Sequence, residues 1–303
     1  MPAEGHRTRR SEEQASEVST ANPGPVRASR ITLGNYAPVQ PKRLQPALAA
    51  IIGVETAPPG GETNHPDAAS ASFGDAAMLE AVIGNDDRVR VSQADLRKNP
   101  FRQICALRIK ARTGAMFVGT GWLIGARALA TAGHCVYMQQ EGGWAEFIEV
   151  IPAKFGSDAP IGRFRATRFR AVDGWIDRQS RDFDYGVILL DDGKPGDQVG
   201  WFTVADESDR DLMHTQANIS GYPADKDNAN FQYFHARPLA SVTPTRLIYD
   251  VDTFGGQSGS PVWQHTDTGF AGIGIHTTGG VSSNSGTRIG SQVIENLSRW
   301  RDE

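Results

Sequence analysis

The stretch Phe164-Arg165-Ala166-Thr167-Arg168-Phe169 alternates apolar and polar side chains over its whole length. This two-residue period is typical of a β strand with one buried and one exposed face. Short apolar stretches bounded by Gly, Pro, Asn or Asp recur on both sides of it, from Val82 onward. They are Ile104–Ile109, Phe117–Ile124, Ala145–Ile151, Phe164–Val172, Tyr185–Leu190, Ile219–Tyr222, Phe231–Phe234, Leu247–Val251, Pro261–Trp263 and Phe270–His276. Short strands with regular turn signals between them predict an all-β sandwich or barrel.

Only the end of the chain is predicted to be helical. Ile289, Val293, Leu297 and Trp300 follow one another at intervals of four, four and three residues. That spacing places the four apolar side chains on one face of a short terminal helix.

The first 80 residues differ in composition from the rest. They contain 9 of the 17 prolines but only Tyr36 and Phe73 of the 25 aromatic residues. A segment so poor in large apolar side chains cannot bury enough surface to offset its chain entropy. We therefore predict a largely disordered segment over residues 1–80 and a folded domain over residues 81–303. Composition leaves open whether the segment is a permanent tail or a pro-segment removed on maturation.

Composition also excludes several functional classes. The 31 basic and 35 acidic residues give a formal charge of −4, so we expect no nucleic-acid partner. No apolar run approaches the roughly 20 residues that span a bilayer, so we expect no membrane segment. Two cysteines, and histidines without His-x-x-x-His spacing, predict no metal and no cofactor. Residues 1–30 lack the apolar core, about 7–15 residues long, of a signal peptide.

Three local motifs contain residues suited to nucleophilic catalysis. They are Ala130-Thr131-Ala132-Gly133-His134-Cys135, Asp182-Phe183-Asp184-Tyr185-Gly186, and Gly255-Gly256-Gln257-Ser258-Gly259-Ser260-Pro261-Val262. Each alone has an ordinary explanation, as a structural histidine, a turn aspartate or a tight glycine turn. Their combination is informative, because a serine hydroxyl needs a nearby base, and the base needs a carboxylate to orient it.

The spacing of the three motifs fits two barrels. His134 and Asp184 are 50 residues apart, and Ser258 follows 74 residues later, which allows the pair on one barrel and the serine on a second. We assign the oxyanion donors to the backbone amides of Gly256 and Ser258, because the adjacent glycines allow the turn that aims both inward.

From Val82 to the end, the chain resembles the trypsin-like serine peptidases, and among them the bacterial glutamyl endopeptidases. The resemblance rests on the three motifs above, on Val82-Ile83-Gly84-Asn85-Asp86-Asp87-Arg88 and on Gly221-Tyr222-Pro223. It implies a double six-stranded β-barrel with a C-terminal helix, the two barrels meeting near residues 195–215. It also implies a monomeric endopeptidase that acts on proteins or peptides and is secreted or periplasmic. A catalytically silent binding module on the same fold is the alternative from another class.

The resemblance further implies a specificity pocket for glutamate. In this family Thr253, His276 and the amine of a mature N-terminus at Val82 would bind a glutamate at P1, the residue before the cleaved bond. Asp252 leaves a second reading open, because trypsin-type enzymes use an aspartate at this position to select Arg or Lys. We expect Asp252 to point away from the pocket.

The pro-segment interpretation gains support from the resemblance. A mature chain that starts at Ala81 or Val82 requires cleavage at Glu80–Ala81 or at the next bond, and the first of these is itself a glutamyl site. We predict a zymogen that is cut there. The residue before the serine is Gln257, so the new terminus cannot form the ion pair of pancreatic-type zymogens.

The cysteines depart from the family pattern. Cys135 follows the histidine as in many trypsin-like chains, but Gly119 occupies the position of its usual partner. We expect a disulfide between Cys105 and Cys135, because Cys105 lies on the preceding predicted strand. Two buried thiols are the alternative.

Overall fold

The computed structural model describes residues 4–13, 69–70, 82–267, 269–280 and 282–303. Most of the segment that we predict to be disordered therefore lies outside the described residues. Two mostly antiparallel sheets contain nearly all the described strands. The first sheet comprises β1 (Thr8–Arg10), β2 (Ala69–Ser70), β4 (Ile104–Lys110), β5 (Met116–Leu123), β6 (Ala128–Thr131), β9 (Phe147–Pro152), β10 (Phe164–Ala166), β11 (Arg168–Val172) and β12 (Gly186–Leu189).

The second sheet and the helices complete the described elements. The second sheet comprises β3 (Val89–Arg90), β13 (Thr203–Val204), β14 (Gln216–Gly221), β15 (Tyr233–Val242), β16 (Arg246–Tyr249), β17 (Pro261–Thr266), β18 (Gly269–Gly279) and β19 (Asn284–Arg288). A small ribbon pairs β7 (Tyr137–Met138) with β8 (Gly143–Trp144). The α-helices are α1 (Gly133–Val136), α2 (Asp173–Ile176), α3 (Pro195–Val199), α4 (Asp209–Leu212) and α5 (Ser291–Arg301). Single 3₁₀ turns are formed by Asp95–Arg97, Phe101–Gln103, Gln139–Glu141, Arg181–Phe183 and Asp227–Ala229.

Both sheets close into barrels. In the second sheet, six strands follow the order β18-β17-β14-β15-β16-β19, and β18 also pairs with β19 to complete the ring. In the first sheet, the alternating stretch Phe164–Phe169 divides at Thr167 into β10 and β11. Because β10 pairs with β9 and β11 pairs with β12, this stretch joins the two ends of the order β12-β6-β5-β4-β9. The predicted double six-stranded barrel is therefore confirmed.

The core follows the predicted apolar pattern. All four residues of β12 are buried, between β6 and β11. The predicted terminal helix is α5, which packs on β6 and β12. Its side chains Val293, Leu297 and Trp300 are buried. The chain thus passes to the second barrel between Leu189 and Thr203 and returns to the first barrel at its end. Among the described residues, no helix combines the length and the apolarity needed to cross a membrane.

Residues 4–13 fall within the segment predicted to be disordered, and they are ordered. Strand β1 pairs antiparallel with β11 at the end of the first sheet. Three residues with polar, charged side chains carry no apolar pattern, which explains why composition did not reveal the strand.

The predicted disulfide is wrong, because Cys105 and Cys135 are buried free thiols. The register of β4 and β5 places Cys105 opposite Gly121. The sulfur of Cys135 instead lies over Gly119, 3.1 Å from where a Cβ on that glycine would be. Cys105 is thus displaced along the strand by two residues, about 7 Å, from the position that faces Cys135.

Candidate active site

The first barrel brings His134 and Asp184 together. His134 lies on α1 just after β6, and Asp184 lies just before β12, the strand that pairs with β6. The His134 amide donates to Asp184 Oδ1 at 2.9 Å, and His134 Nδ1 lies 2.8 Å from Asp184 Oδ2. The carboxylate therefore holds both the backbone and the ring of the histidine. A ring held at Nδ1 presents Nε2 to a reacting group, as a general base requires.

Burial and charge act in opposite directions on His134. Burial is the largest single influence and works to lower the pKa of its imidazole, but the Asp184 carboxylate and Cys135 together outweigh burial, and the pKa lies well above its ordinary value. His134 Nε2 is also buried, and none of the described residues bonds to it. The histidine is thus a strengthened base whose reactive nitrogen is not occupied by a structural partner.

Gly133 allows the close approach of the histidine and the aspartate. A Cβ at this position would lie 2.9 Å from the Trp175 indole and 3.1 Å from Asp184 Oδ1. The Trp175 ring packs beside the His134 imidazole, with centroids 6.1 Å apart. A larger residue would push the tryptophan or the carboxylate out of position.

The serine loop of the second barrel is bonded to the first barrel. Ser258 is buried just before β17, and its carbonyl oxygen accepts from the Thr120 amide of β5 at 2.9 Å. The Cys135 sulfur, adjacent to His134 in sequence, lies 3.6 Å from the same oxygen. Gly259 has a φ of +89°, and a Cβ there would lie only 2.1 Å from the Thr120 carbonyl oxygen. The glycine after the serine is therefore required by this contact.

The candidate oxyanion amides have fixed directions. Each is the N–H of a planar peptide whose carbonyl points the opposite way. The Gly255 carbonyl accepts from Ala224 N at 2.7 Å, and the Gln257 carbonyl accepts from Ser260 N at 2.9 Å. These bonds fix the peptides that carry the Gly256 and Ser258 amides. Preorganised donors of this kind are what stabilises a developing oxyanion.

Thr253 and His276 are buried on elements next to the serine loop. The Thr253 hydroxyl is fully buried and bonds to no other described residue. The His276 backbone pairs with the loop, because its carbonyl accepts from Gly259 N at 2.7 Å and its amide donates to Ser260 O at 2.8 Å. The Tyr249 hydroxyl lies 2.7 Å from His276 Nδ1. A buried hydroxyl and a histidine held at one nitrogen are groups able to bind a carboxylate.

Asp252 is bonded to the segment that follows Val82. Its Oδ1 accepts from the Ile83 amide at 2.7 Å, and its Oδ2 accepts from the Asp87 amide at 2.9 Å. The Asp252 amide in turn donates to His235 Nδ1 at 2.9 Å. Burial raises the pKa of the Asp252 carboxyl and lowers that of His235 to about 3. Val82, next to Ile83, is half-buried.

Asp87, His235 and Asp252 are the one group of metal-ligand types that converges within the described residues, their ligand atoms lying within 4.8 Å of one another. Both Asp252 oxygens and His235 Nδ1 already accept from backbone amides. Arg237 also donates to Asp87 Oδ2 at 2.6 Å, which places a cation beside the group. These residues therefore fit a metal poorly.

Two arginines next to the site, the buried Arg88 and the partly buried Arg246, carry no signal in the sequence. The guanidinium of Arg88 reaches Asp225 at 3.0 Å and the side-chain oxygen of Gln257 at 3.4 Å, so it supports the residue before the serine. Arg246 donates to the carbonyl of Arg181, in the turn before Asp184, at 2.6 Å. Burial lowers the pKa of Arg246. Both act through contacts between distant segments, which no local motif reveals.

Two six-stranded barrels, with a histidine–aspartate pair on one and a glycine-flanked serine loop on the other, define a serine peptidase of the chymotrypsin fold. A family model for the trypsin-like peptidase domain matches residues 119–273, about half of the chain. The chain belongs to this family, and it is a serine-type endopeptidase, a hydrolase of peptide bonds.

Three known proteins illustrate the similarity. A glutamyl endopeptidase of Bacillus licheniformis is 37% identical over 232 residues, which cover 74% of this chain and 70% of that protein. A protein of Bacillus subtilis named extracellular metalloprotease is 36% identical over 225 residues, with the same coverage of both chains. A solved structure of a Glu endopeptidase in complex with MPD has a TM-score of 0.65 and 27% identity, and it covers 74% of this chain and 100% of that one.

Proposed function

We propose that this peptidase cleaves proteins and peptides after glutamate, or aspartate, through a Ser-His-Asp acyl-enzyme mechanism. The observation that carries the proposal is the pair of contacts from the Asp184 carboxylate to the His134 amide and to His134 Nδ1, which leaves Nε2 available to accept a proton. In a protein of this fold such a pair serves a serine nucleophile, and Ser258 lies in the loop that contacts the neighbouring Cys135.

The chemical steps follow from these positions. The Ser258 oxygen attacks the scissile carbonyl carbon while its proton passes to His134 Nε2, and the Gly256 and Ser258 amides hold the resulting oxyanion. The C–N bond then breaks as the imidazolium returns the proton to the leaving amine. A water molecule, deprotonated by His134, then attacks the ester carbonyl carbon. The C–O bond to Ser258 breaks, the imidazolium returns its proton to the Ser258 oxygen, and the acid is released. The Asp184 carboxylate stabilises the imidazolium.

Glutamate specificity is supported by two buried groups. A P1 carboxylate is ionised at neutral pH and needs donors in its pocket. The unbonded Thr253 hydroxyl and the imidazole of His276 supply such donors without introducing a buried unpaired charge. The similarity to glutamyl endopeptidases points the same way.

Asp252 favours glutamate over arginine as the P1 residue. A carboxylate that selects Arg or Lys must present an oxygen to the pocket. Both Asp252 oxygens instead accept hydrogen bonds from backbone amides of the segment after Val82. We further propose that the chain is a secreted or periplasmic zymogen, cut at Glu80–Ala81 or at the next bond. The new amine would then lie one or two residues from Ile83, beside the 252–253 segment.

Three measurements test the proposed function. Peptides that differ only in P1, as Glu, Gln, Arg or Lys, are digested by processed enzyme, with the Ser258→Ala variant as the control. We expect the highest kcat/KM for Glu and no cleavage by Ser258→Ala. Faster cleavage after Arg would assign the trypsin-like alternative. Failure of processed enzyme to react with a serine-directed phosphonofluoridate would assign the silent binding module. N-terminal sequencing of active enzyme locates the cut.

A further inference from the structure

Residues 4–13, the docked segment, are bonded along most of their length to the first barrel. In β1 the residues Thr8 to Arg10 pair with β11. The backbone contacts continue toward the N-terminus, because Asp173 N donates to Arg7 O at 2.8 Å and Gly174 N donates to Gly5 O at 3.0 Å. Strand β11 pairs with β12 on one side, and its other side is left for β1 because β9 pairs with β10 instead. An unpaired strand side of this kind binds an added strand.

The side chains of the docked segment match their surroundings in charge. Three ion pairs join charged side chains of the segment to side chains of opposite charge in the rest of the domain. They are Arg9 Nε to Asp173 Oδ1 at 2.6 Å, Arg10 Nη2 to Glu303 Oε1 at 3.2 Å, and Arg170 Nη1 to Glu12 Oε2 at 2.7 Å. The buried Ser11 hydroxyl also accepts from the Phe169 amide at 2.9 Å. This pattern specifies one register of binding.

The docked segment also contacts the loop that carries the catalytic aspartate. His6 Nδ1 lies 2.8 Å from the Tyr185 hydroxyl, and its ring packs edge-on against Phe183 with centroids 4.9 Å apart. Phe183 and Tyr185 are the two neighbours of Asp184. Asn296 of α5 donates to both the His6 carbonyl, at 3.0 Å, and the Tyr185 hydroxyl, at 2.8 Å.

The same segment supports the histidine from the other side. Gly5 and Arg7 accept from the first residues of α2, and Trp175 of that helix packs beside His134. The docked segment therefore touches both elements that position the histidine–aspartate pair. Displacement of catalytic groups by about 1 Å can cost 100-fold in rate, so support at this distance affects catalysis.

We propose that the docked segment stays bound after the chain is cut before residue 82, and that it positions the Asp184 loop and α2 for catalysis. The active enzyme is then a two-piece complex in which part of the removed segment remains as a strand. This proposal depends on the proposed function only in assuming that the chain is cut before residue 82. The contacts described above all join the docked segment to residues that follow Val82 in the chain.

Retention is tested without relying on the enzyme's own activity. The Ser258→Ala protein receives the recognition site of an unrelated protease between Ala21 and Asn22, is cut there, and is analysed by size exclusion and mass spectrometry. We expect the fragment of residues 1–21 to elute with the remainder of the chain. Elution of the fragment as a free peptide would overturn the proposal, whatever the specificity of the enzyme.

Gly5 and Arg7 provide a matched pair of variants. Gly5 has a φ of +90°, and a Cβ there would lie 2.5 Å from the Phe183 ring, whereas the Arg7 side chain is 81% exposed. We expect the Gly5→Ala fragment to dissociate and the Arg7→Ala fragment to remain bound. Retention of both fragments would contradict the assigned register.

The positioning role is tested by kinetics of processed enzyme. We expect Gly5→Ala to lower kcat at least about tenfold with KM within about twofold, and an excess of a peptide of residues 4–13 to restore kcat. Arg7→Ala keeps the backbone carbonyl that accepts from the Asp173 amide and loses only an exposed side chain whose ion pair with Asp173 is 3.9 Å long, so its kcat should stay within about twofold of the parent. If Gly5→Ala does not fold, the parent enzyme cut between Ala21 and Asn22 is diluted until the fragment dissociates. Unchanged kcat after loss of the fragment would overturn the positioning role.

Discussion

Replacing Thr253 by valine removes one hydroxyl and keeps the shape of the side chain, so it separates binding from stability. Thr253 is fully buried, and its hydroxyl bonds to no other described residue. A buried polar group left without a partner costs about 1–3 kcal/mol. We therefore expect Thr253→Val to raise the free energy of unfolding by about 1 kcal/mol.

The same substitution is expected to weaken catalysis on glutamyl substrates. A hydrogen bond from a hydroxyl to an ionised carboxylate is worth about 1.5–3 kcal/mol. At 1.4 kcal/mol for each factor of ten, kcat/KM for a P1 glutamate peptide should fall roughly 10- to 150-fold. The loss should be much smaller for P1 glutamine, because its side chain carries no charge. We thus expect the Thr253→Val enzyme to be more stable and less active than the parent.

The assay pairs urea unfolding with kinetics on matched peptides. Unfolding is measured in the Ser258→Ala background, where self-digestion cannot interfere. Thr131→Val is the control for stability, because the buried Thr131 hydroxyl donates to the Thr120 carbonyl at 2.8 Å, and its removal should destabilise by about 1 kcal/mol. If Thr253→Val lost stability and kept its kcat/KM on glutamyl peptides, the pocket assignment of Thr253 would be refuted.

Three further predictions concern the supports of the site. Asp184→Asn should lower kcat by about 10⁴-fold, because the imidazole of His134 loses the carboxylate that orients it. Because Asp184 raises the pKa of His134, the substitution should also move the acid-side midpoint of the pH–rate profile to lower pH; an upward move would contradict the assignment. Arg88→Met leaves the partly exposed carboxylates of Asp86 and Asp225 without their guanidinium and should destabilise by about 1–2 kcal/mol in urea unfolding, between the values for exposed and for fully buried ion pairs, whereas unchanged stability would argue against this ion-pair network. Thiol titration of denatured, unreduced protein should count both Cys105 and Cys135, and a count of zero would contradict the free thiols.

Most of the fold could be predicted from local signals. The strands and α5 follow from apolar periodicity, because burial on one face imposes a two-residue period on strands and a wider spacing on helices. His134 and Asp184 are predicted from the combination of the three motifs, and in the structure they lie next to β6 and β12, which pair side by side. The glycines around Ser258 predict a tight loop, and Gly256 and Gly259 have φ values of +101° and +89°.

The remaining features depend on contacts between distant segments. The docking of β1 depends on charge pairs with residues near 170 and 303, and three polar residues give no pattern to detect. Arg88 and Tyr249 contribute by reaching Gln257 and His276 across the fold. The error at Cys105 has the same origin, because a register is set by the whole strand pair and a two-residue difference separates a disulfide from two thiols.

Asp252 would connect the proposed maturation of this enzyme with its proposed specificity. In the uncut chain its carboxylate accepts the Ile83 and Asp87 amides, and burial raises its pKa. A cut before Ala81 or Val82 creates an ammonium one or two residues from Ile83, and a cation near a buried carboxylate favours the ionised form. We infer that processing strengthens the hold on residues 82–87 and thereby keeps the new amine near Thr253, the neighbour of Asp252. Asp252→Asn should then weaken cleavage after glutamate, because the carboxylate that holds this segment is lost. If Asp252→Asn instead abolished an existing cleavage after arginine, the carboxylate would face the substrate, and the inference would fail.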